Sequence, residues 1–362
     1  MDWASFDPAA FKAAYERDGY AVVRNVFSPA EVAQMKARFD AWRADMLAAH
    51  HATFVKGNHR VWVSEGGAGG EGATKRVLRG VQWPSYTDPV LDAFRTDARM
   101  FAISSALIGR DIKQIINQCA APTPAGPASS LSPPPNPAPP PAPARRMHWK
   151  QPGSTTSWRH HQDVRARKPD AAFRELWSSY INTGIALERF DDETGAMSVL
   201  PGSHAAKTDH GLEALADEMG LDSHTPTREE EVEFFRRSGH DHAQLRTLEL
   251  APGDVGVWHP FAIHGGGVNT SADCFRSFYI NGFVTAANCD RGHLAWRDGV
   301  PQPLGEPVLI QLDNFKQTLA EGGRYYPVAA NGGGSRLDDA LRAAAEAEAK
   351  ALESARMNVV RD

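Results

Sequence analysis

Between residues 119 and 145 the chain holds eleven of its 25 prolines, in "PTPAGPASSLSPPPNPAPPPAPA". Proline fixes φ and offers no backbone N–H, so a run this dense can enter neither a helix nor a sheet interior and favours extended, solvated backbone. Any core must be built from the residues on either side. Two architectures remain: two domains joined by a linker, or one domain with a surface insertion. The second is expected, because "IKQIINQ" before the run and "MHWKQPG" after it read as one continuous strand once the run is cut out. Residues 1–334 then form a single domain interrupted at 119–145, and the alanine-rich, charge-paired tail at 335–362 reads as a helix.

At 362 residues and 42% hydrophobic side chains, the flanking segments can bury a substantial core. The first of them opens with a helix over about 8–18 and a short strand "YAVVRNV". In "SPAE", Ser28, Pro29 and Glu31 form a capping box with proline in the first turn, so a helix follows. Val32, Met35, Phe39, Trp42 and Met46 recur at three- and four-residue steps and give that helix one apolar, core-facing side. "GGAGGEGA" (66–73) is expected to be a flexible loop. From 145 to 284 short strand-like runs with turn residues between them dominate, interrupted by a charged segment at 205–246 that is expected to cover a site as a lid. The fold class is therefore mainly β with flanking helices.

A net charge of −5 with mixed signs argues against a nucleic-acid binder held by phosphate contacts. Cys119, Cys274 and Cys289 are odd in number and unpaired in spacing; they fit a reducing compartment and supply neither a disulfide frame nor a zinc site. The opening "MDWASFDPAAFKAAYERDGY" lacks a basic start followed by an apolar run, and no stretch reaches the length of a membrane span. An intracellular, cytoplasmic protein with a small-molecule substrate, and with neither membrane nor nucleic-acid partner, is expected. Its oligomeric state is not readable.

The chemistry concentrates in "TTSWRHHQDVRARKP" (155–169). In a strand, residues i and i+2 share a face, so His161 and Asp163 project together while Gln162 points away. His160 pairs by the same rule only with Gln162, whose neutral amide is a poor ligand for a divalent ion. A His-x-Asp alone is a common accident in a chain with 14 histidines and 44 acidic residues. A third ligand is available in "LAPGDVGVWHPFAIHGGGVN" (250–269), as His259 or His264. His264 is preferred, because it ends an apolar run and precedes three glycines that let backbone or ligand come close. Two histidines and one carboxylate on one face of an ion leave three positions open, which suits a non-haem Fe(II) oxygenase. Arg276, twelve residues on, can take a carboxylate with two parallel hydrogen bonds. If the strand continues past Asp163, Arg165 and Arg167 share its face, which is a reason to expect an anionic substrate; if it ends there, where "ARKPD" already looks like a turn, the arginines are solvated or paired with acidic residues of 205–246.

"HQD" at 161–163, "GAMSVLPGSH" at 195–204, "PGDVGVWHPFAIHGGGVN" at 252–269 and Arg276 together resemble the phytanoyl-CoA dioxygenase family of Fe(II)/2-oxoglutarate-dependent oxygenases. The opening "FKAAYERDGYAVVRNVFSPAEV" is similar to that family's as well, so the resemblance covers about 8–315 apart from the insertion. It implies a double-stranded β-helix, or jelly-roll, core of the cupin kind. It also implies Fe(II) on His161, Asp163 and His264, with Arg276 on the distal carboxylate of the cosubstrate 2-oxoglutarate. "WKQPG" matches the family's lysine-containing strand and makes Lys150 a cosubstrate or substrate contact. With dioxygen, the implied reaction is hydroxylation of an aliphatic C–H bond of a small organic substrate, releasing succinate and carbon dioxide. His204 is expected to pack near the site rather than to ligate.

Some positions depart from the family pattern. His160 stands where tryptophan is frequent, with Trp158 two residues back, and Gly184 and Gly266 replace side chains that help hold the cosubstrate in some members. In related halogenases the carboxylate ligand is a small residue; Asp163 is present, which favours hydroxylation. The competing readings are a jelly-roll metal-binding protein without oxygenase activity, and a cupin-like isomerase or hydrolase. Neither needs a carboxylate clamp such as Arg276.

Overall fold

Asp7 accepts a hydrogen bond from Ala9 N, Pro8 opens the first turn, and Gly19 at φ +78° closes it, giving the helix Pro8–Asp18 that the sequence predicts. The second expected helix is Pro29–Ala49. Its capping box is present: Glu31 accepts from Ser28 N at 2.8 Å, and Ser28 Oγ accepts from Glu31 N at 3.3 Å. Val32, Met35, Phe39 and Trp42 are buried, with Met46 packed at the margin. The computed structural model describes residues 1–49, 54–56, 58–68, 74–120, 157–167, 172–221, 226–307, 310 and 324–326. Cys119 and Ala120, expected to open the insertion, instead end the strand Ile112–Ala120 opposite Val81 and Gly80; 121–145, Lys150 and the 335–362 tail lie outside the described residues. Of the glycine-rich stretch expected as a loop, 66–68 instead continue the strand His59–Ala68, whose backbone pairs with Thr74–Gln82; 69–73 lie outside the described residues.

Two antiparallel sheets form the body. The larger runs in the order Tyr20–Val23, Val255–Trp258, Tyr180–Ala186, Phe278–Thr285, Ile112–Ala120, Thr74–Gln82, His59–Ala68, Phe54–Lys56. The smaller is Trp158–His161, His264–Gly266, Met197–Val199, Arg246–Thr247. Ile181, Ile185, Val255, Val257, Tyr279 and Phe283 turn one face of the large sheet towards the N-terminal helices and the helix Ala98–Ile108. Trp258, Phe278 and Ile280 on the other face meet Met197 and Val199 of the small sheet. This is a jelly roll with helices outside, as expected. The 205–246 segment has little strand, as predicted. Its helices Leu212–Glu218 and Arg228–Arg237 bury Leu212, Phe234 and Phe235 against Leu200 and Ile263, behind the small sheet. Among the described residues no helix is long and apolar enough to cross a membrane.

Candidate metal centre

His161 closes one strand of the small sheet and His264 opens its neighbour, and the two are register partners with ring centroids 4.5 Å apart. Each ring is oriented by its own backbone: Nδ1 of His161 lies 2.9 Å from Arg159 O, and Nδ1 of His264 lies 2.9 Å from Ala262 O. A carbonyl can only accept, so His264 carries a proton on Nδ1 and turns Nε2 towards Asp163; His161 also meets the Trp158 indole N–H, 3.1 Å from its Nδ1 and 3.3 Å from its Nε2. The strand ladder ends at His161, but Gln162 keeps extended backbone (φ −118°, ψ 131°), and the alternation carries Asp163 to the same side. His161 Nε2 is 3.4 Å from Asp163 Oδ1, and His264 Nε2 is 3.3 Å from Asp163 Oδ2. The three donor atoms lie within 4.8 Å of one another, close enough to share one ion. Burial, followed by the neighbouring His264 and Arg165, pulls His161 down to about 3, so its ring stays neutral. Burial opposes the charge on Asp163, but His264 and the hydrogen bonds of both histidines outweigh it and hold the carboxyl well below the usual range. A neutral His161 beside an ionised Asp163 is the protonation state that a divalent cation requires of those two donors.

The other candidates stand elsewhere. His160 faces the back of the small sheet, between Ser198 Oγ at 2.8 Å and Glu231 at 2.7 Å. Gln162 also turns back, donating to Phe261 O at 2.6 Å and Thr208 O at 3.1 Å and accepting from His210 N at 2.8 Å. His259 bonds Trp177 O at 2.9 Å, and His204 stacks on Trp177 and bonds Glu16 O at 3.0 Å. Neither reaches the centre, in line with the preference for His264 and with the packing role expected of His204.

Two residues at the centre carried no sequence signal of their own. Asn182 Nδ2 donates to Asp163 Oδ2 at 2.6 Å and Trp258 Nε1 donates to the same oxygen at 3.1 Å. They are register partners on the large sheet, and Gly282, opposite Asn182, leaves the space: a Cβ there would come within 2.9 Å of Asn182 Oδ1. An asparagine inside the otherwise apolar "YINTGIA" and a tryptophan ending "VGVW" are the only hints in the sequence.

Arg276 is 2% exposed, and among the described residues no carboxylate pairs with it. One Nη donates to Gly195 O, Cζ lies 5.4 Å from the Phe190 ring, and Nε is buried without a partner among the described residues. Burial alone draws the guanidinium down to about 9, so it is charged at neutral pH without a counter-ion in view. It approaches Gly266, two residues beyond His264: a Cβ on Gly266 would lie 3.4 Å from Nη1. The other departure, Gly184, is filled by Phe278, whose ring would be 2.2 Å from an added Cβ.

The premise that placed Arg165 and Arg167 on the cavity face is corrected. Val164 N bonds Pro260 O at 3.0 Å and Arg167 N bonds Val164 O at 2.9 Å, so Asp163–Ala166 turns as a 3-10 helix instead of continuing the strand. Arg165 pairs with Glu213 of the 205–246 segment, which also holds Arg159 at 3.1 Å. Arg167 is buried, with its guanidinium 5.6 Å from the Phe173 ring and 5.9 Å from the Tyr180 ring.

Solved structures of similar fold include apo EctD from S. alaskensis, with 17% identity over 84% of this chain and 89% of that one and a TM-score of 0.51. EctD from S. alaskensis with 2-oxoglutarate and 5-hydroxyectoine gives 18% identity over the same shares, 84% and 89%, and a TM-score of 0.51. The apo non-heme monooxygenase ThoJ gives 13% identity, 86% and 94% coverage and a TM-score of 0.50. At these identities the likeness is one of fold. No curated protein sequence matches the chain. The profile of the phytanoyl-CoA dioxygenase (PhyH) family matches residues 15–278, a span that contains every strand of the small sheet, all three metal-facing side chains and Arg276. The chain therefore belongs to the phytanoyl-CoA dioxygenase family of Fe(II)/2-oxoglutarate-dependent enzymes.

Proposed function

We propose that His161, Asp163 and His264 hold Fe(II), that Arg276 receives the distal carboxylate of 2-oxoglutarate, and that the enzyme hydroxylates an aliphatic C–H bond of a small organic substrate. Succinate and carbon dioxide are the co-products. One observation carries this reading: two imidazoles and a carboxylate lie within 4.8 Å of one another, and a buried guanidinium with no carboxylate partner among the described residues approaches Gly266, two residues beyond His264. The donor set fits an iron with open positions, and the buried charge fits a dicarboxylate. Iron with 2-oxoglutarate and dioxygen supplies the oxidising chemistry. The chain's share is to orient the two rings through Arg159 O and Ala262 O, to keep Asp163 ionised, and to neutralise the distal carboxylate of the cosubstrate. An isomerase or hydrolase on the same metal has no use for Arg276 in that place.

The same reading takes 1–334 as one catalytic unit with 119–145 inserted, and 205–246 as a segment packed on the back of the small sheet that holds the ligand-bearing strand in place. Glu213 on Arg159 and Arg165, and Gln162 on Thr208 and His210, tie that segment to the ligand-bearing strand. Arg165 is engaged by this tie, so it gives no reason to expect an anionic substrate.

The test is anaerobic reconstitution with Fe(II) and 2-oxoglutarate, then exposure to oxygen with a metabolite panel scored by succinate and by hydroxylated product. His161→Ala, Asp163→Ala and His264→Ala are expected to abolish turnover, whereas His160→Ala and His259→Ala retain a measurable part. Full activity in any of the first three sinks the ligand set. A product isomerised or hydrolysed without succinate selects the competing chemistry.

A further inference from the structure

A carboxylate can give a metal one oxygen or two, and at this centre the difference decides how many positions remain. With two histidines and a single carboxylate oxygen on an octahedral ion, three positions stay open; a second oxygen closes one of them. Asp163 Oδ2 accepts from Asn182 Nδ2 at 2.6 Å and from Trp258 Nε1 at 3.1 Å, so both of its in-plane lone pairs are used. Oδ1, 3.4 Å from His161 Nε2, meets no amide, indole or hydroxyl donor among the described residues.

We propose that Asn182 and Trp258 are positioning residues that make Asp163 a one-oxygen ligand and so keep the third position free; this rests on the metal reading of the site given above. Both donors come from the large sheet, whereas the ligands belong to the small sheet and the turn that follows it, so the pair pins the carboxylate from across the sandwich. Neither an amide nor an indole N–H changes charge across the working pH range, so the restraint is constant. Asn182 is 1% exposed and Trp258 is 2% exposed, which leaves water little access to replace either bond. The roles are reciprocal, since losing one donor frees a lone pair of Oδ2 to swing onto the ion.

The experiment uses the full chain freed of metal, with Co(II) as the probe. Co(II) affinity, the visible spectrum at saturation and the affinity of the Co(II) form for 2-oxoglutarate are measured for the wild type, Asn182→Ala and Trp258→Phe. Loss of an outer-sphere partner is expected to weaken Co(II) about 10- to 100-fold. In both variants the visible bands are expected to lose intensity as a second oxygen enters, and 2-oxoglutarate, competing with that oxygen, should bind less tightly. The thermal midpoint of each metal-free variant separates this from a packing defect, and Trp258→Phe keeps the ring should Asn182→Ala fail to fold. Reduced stability with wild-type Co(II) affinity and spectrum overturns the positioning role. A wild type that binds no Co(II) overturns the metal reading instead.

Discussion

The carbonyl two residues before His161 and before His264 orients the ring, and the sequence already hints at why. A histidine at a strand end folds its Nδ1 back onto its own backbone, which leaves Nε2 as the outward atom. The pairing of His161 with Asp163 could be read from their spacing because i, i+2 alternation survives the extended Gln162. Asn182 and Trp258 could not, because their partner is brought near only by the closing of two sheets. Arg276 lies between these cases: its residue type suggested the task, and its burial supports it. Arg276→Ala is expected to raise the 2-oxoglutarate requirement about 10- to 150-fold, since a charge-assisted pair contributes about 1.5–3 kcal/mol. Metal affinity should stay nearly intact, and titration of 2-oxoglutarate against the reconstituted protein checks both. An unchanged requirement removes Arg276 from the site.

At the level of elements, the helices and the capping box were legible because their signals are local. The turn after Asp163 was legible only as an alternative, from the look of "ARKPD"; "VRAR" itself contains no breaker, and it bends because Pro260 O takes Val164 N, a contact almost a hundred residues away in the chain. A second junction joins the end of the helix Pro8–Asp18 to the segment after Val255–Trp258. There His259 N bonds Gly19 O at 2.8 Å and its ring packs between Tyr15, Trp177 and His204. Burial, then His204, pulls His259 down to about 3. The unfolded chain, with an ordinary histidine near 6.5, binds the proton more readily than the folded one. The stability that this residue contributes is therefore complete above about 6.5 and is lost as pH falls towards 3. In denaturant melts of the metal-free protein, His259→Gln is expected to flatten the acid limb by up to about 1.4 kcal/mol per pH unit, while His161 keeps part of the slope. An acid limb unchanged by the substitution would mean that His259 is not buried neutral at this junction.

For the whole molecule, the jelly roll was legible from the density of short strands and the family resemblance, whereas the pairing order of the large sheet was not, because register between distant strands is set by tertiary packing. The strand Ile112–Ala120 runs in the large sheet to two residues before the first proline of the run, Pro122, and Trp158–His161 opens the small one beyond it. If the run is an inserted surface segment, deleting 122–143 is expected to preserve soluble expression, thermal midpoint and turnover, because closure entropy grows only slowly with loop length. Aggregation of the deleted chain, or two separate melting transitions in the intact one, would favour two domains.

The pairing of His161 with His264 has a consequence for the order of events in folding. These residues are more than a hundred positions apart, and they meet only when the small sheet has formed. On the unfolded chain an ion finds only the neighbouring donors of His161 and Asp163, and the third, His264, joins them when the small sheet closes. Most of its hold on the chain therefore arrives after the sheet is made, so the metal acts chiefly as a brake on loss of the native state rather than as a template for reaching it.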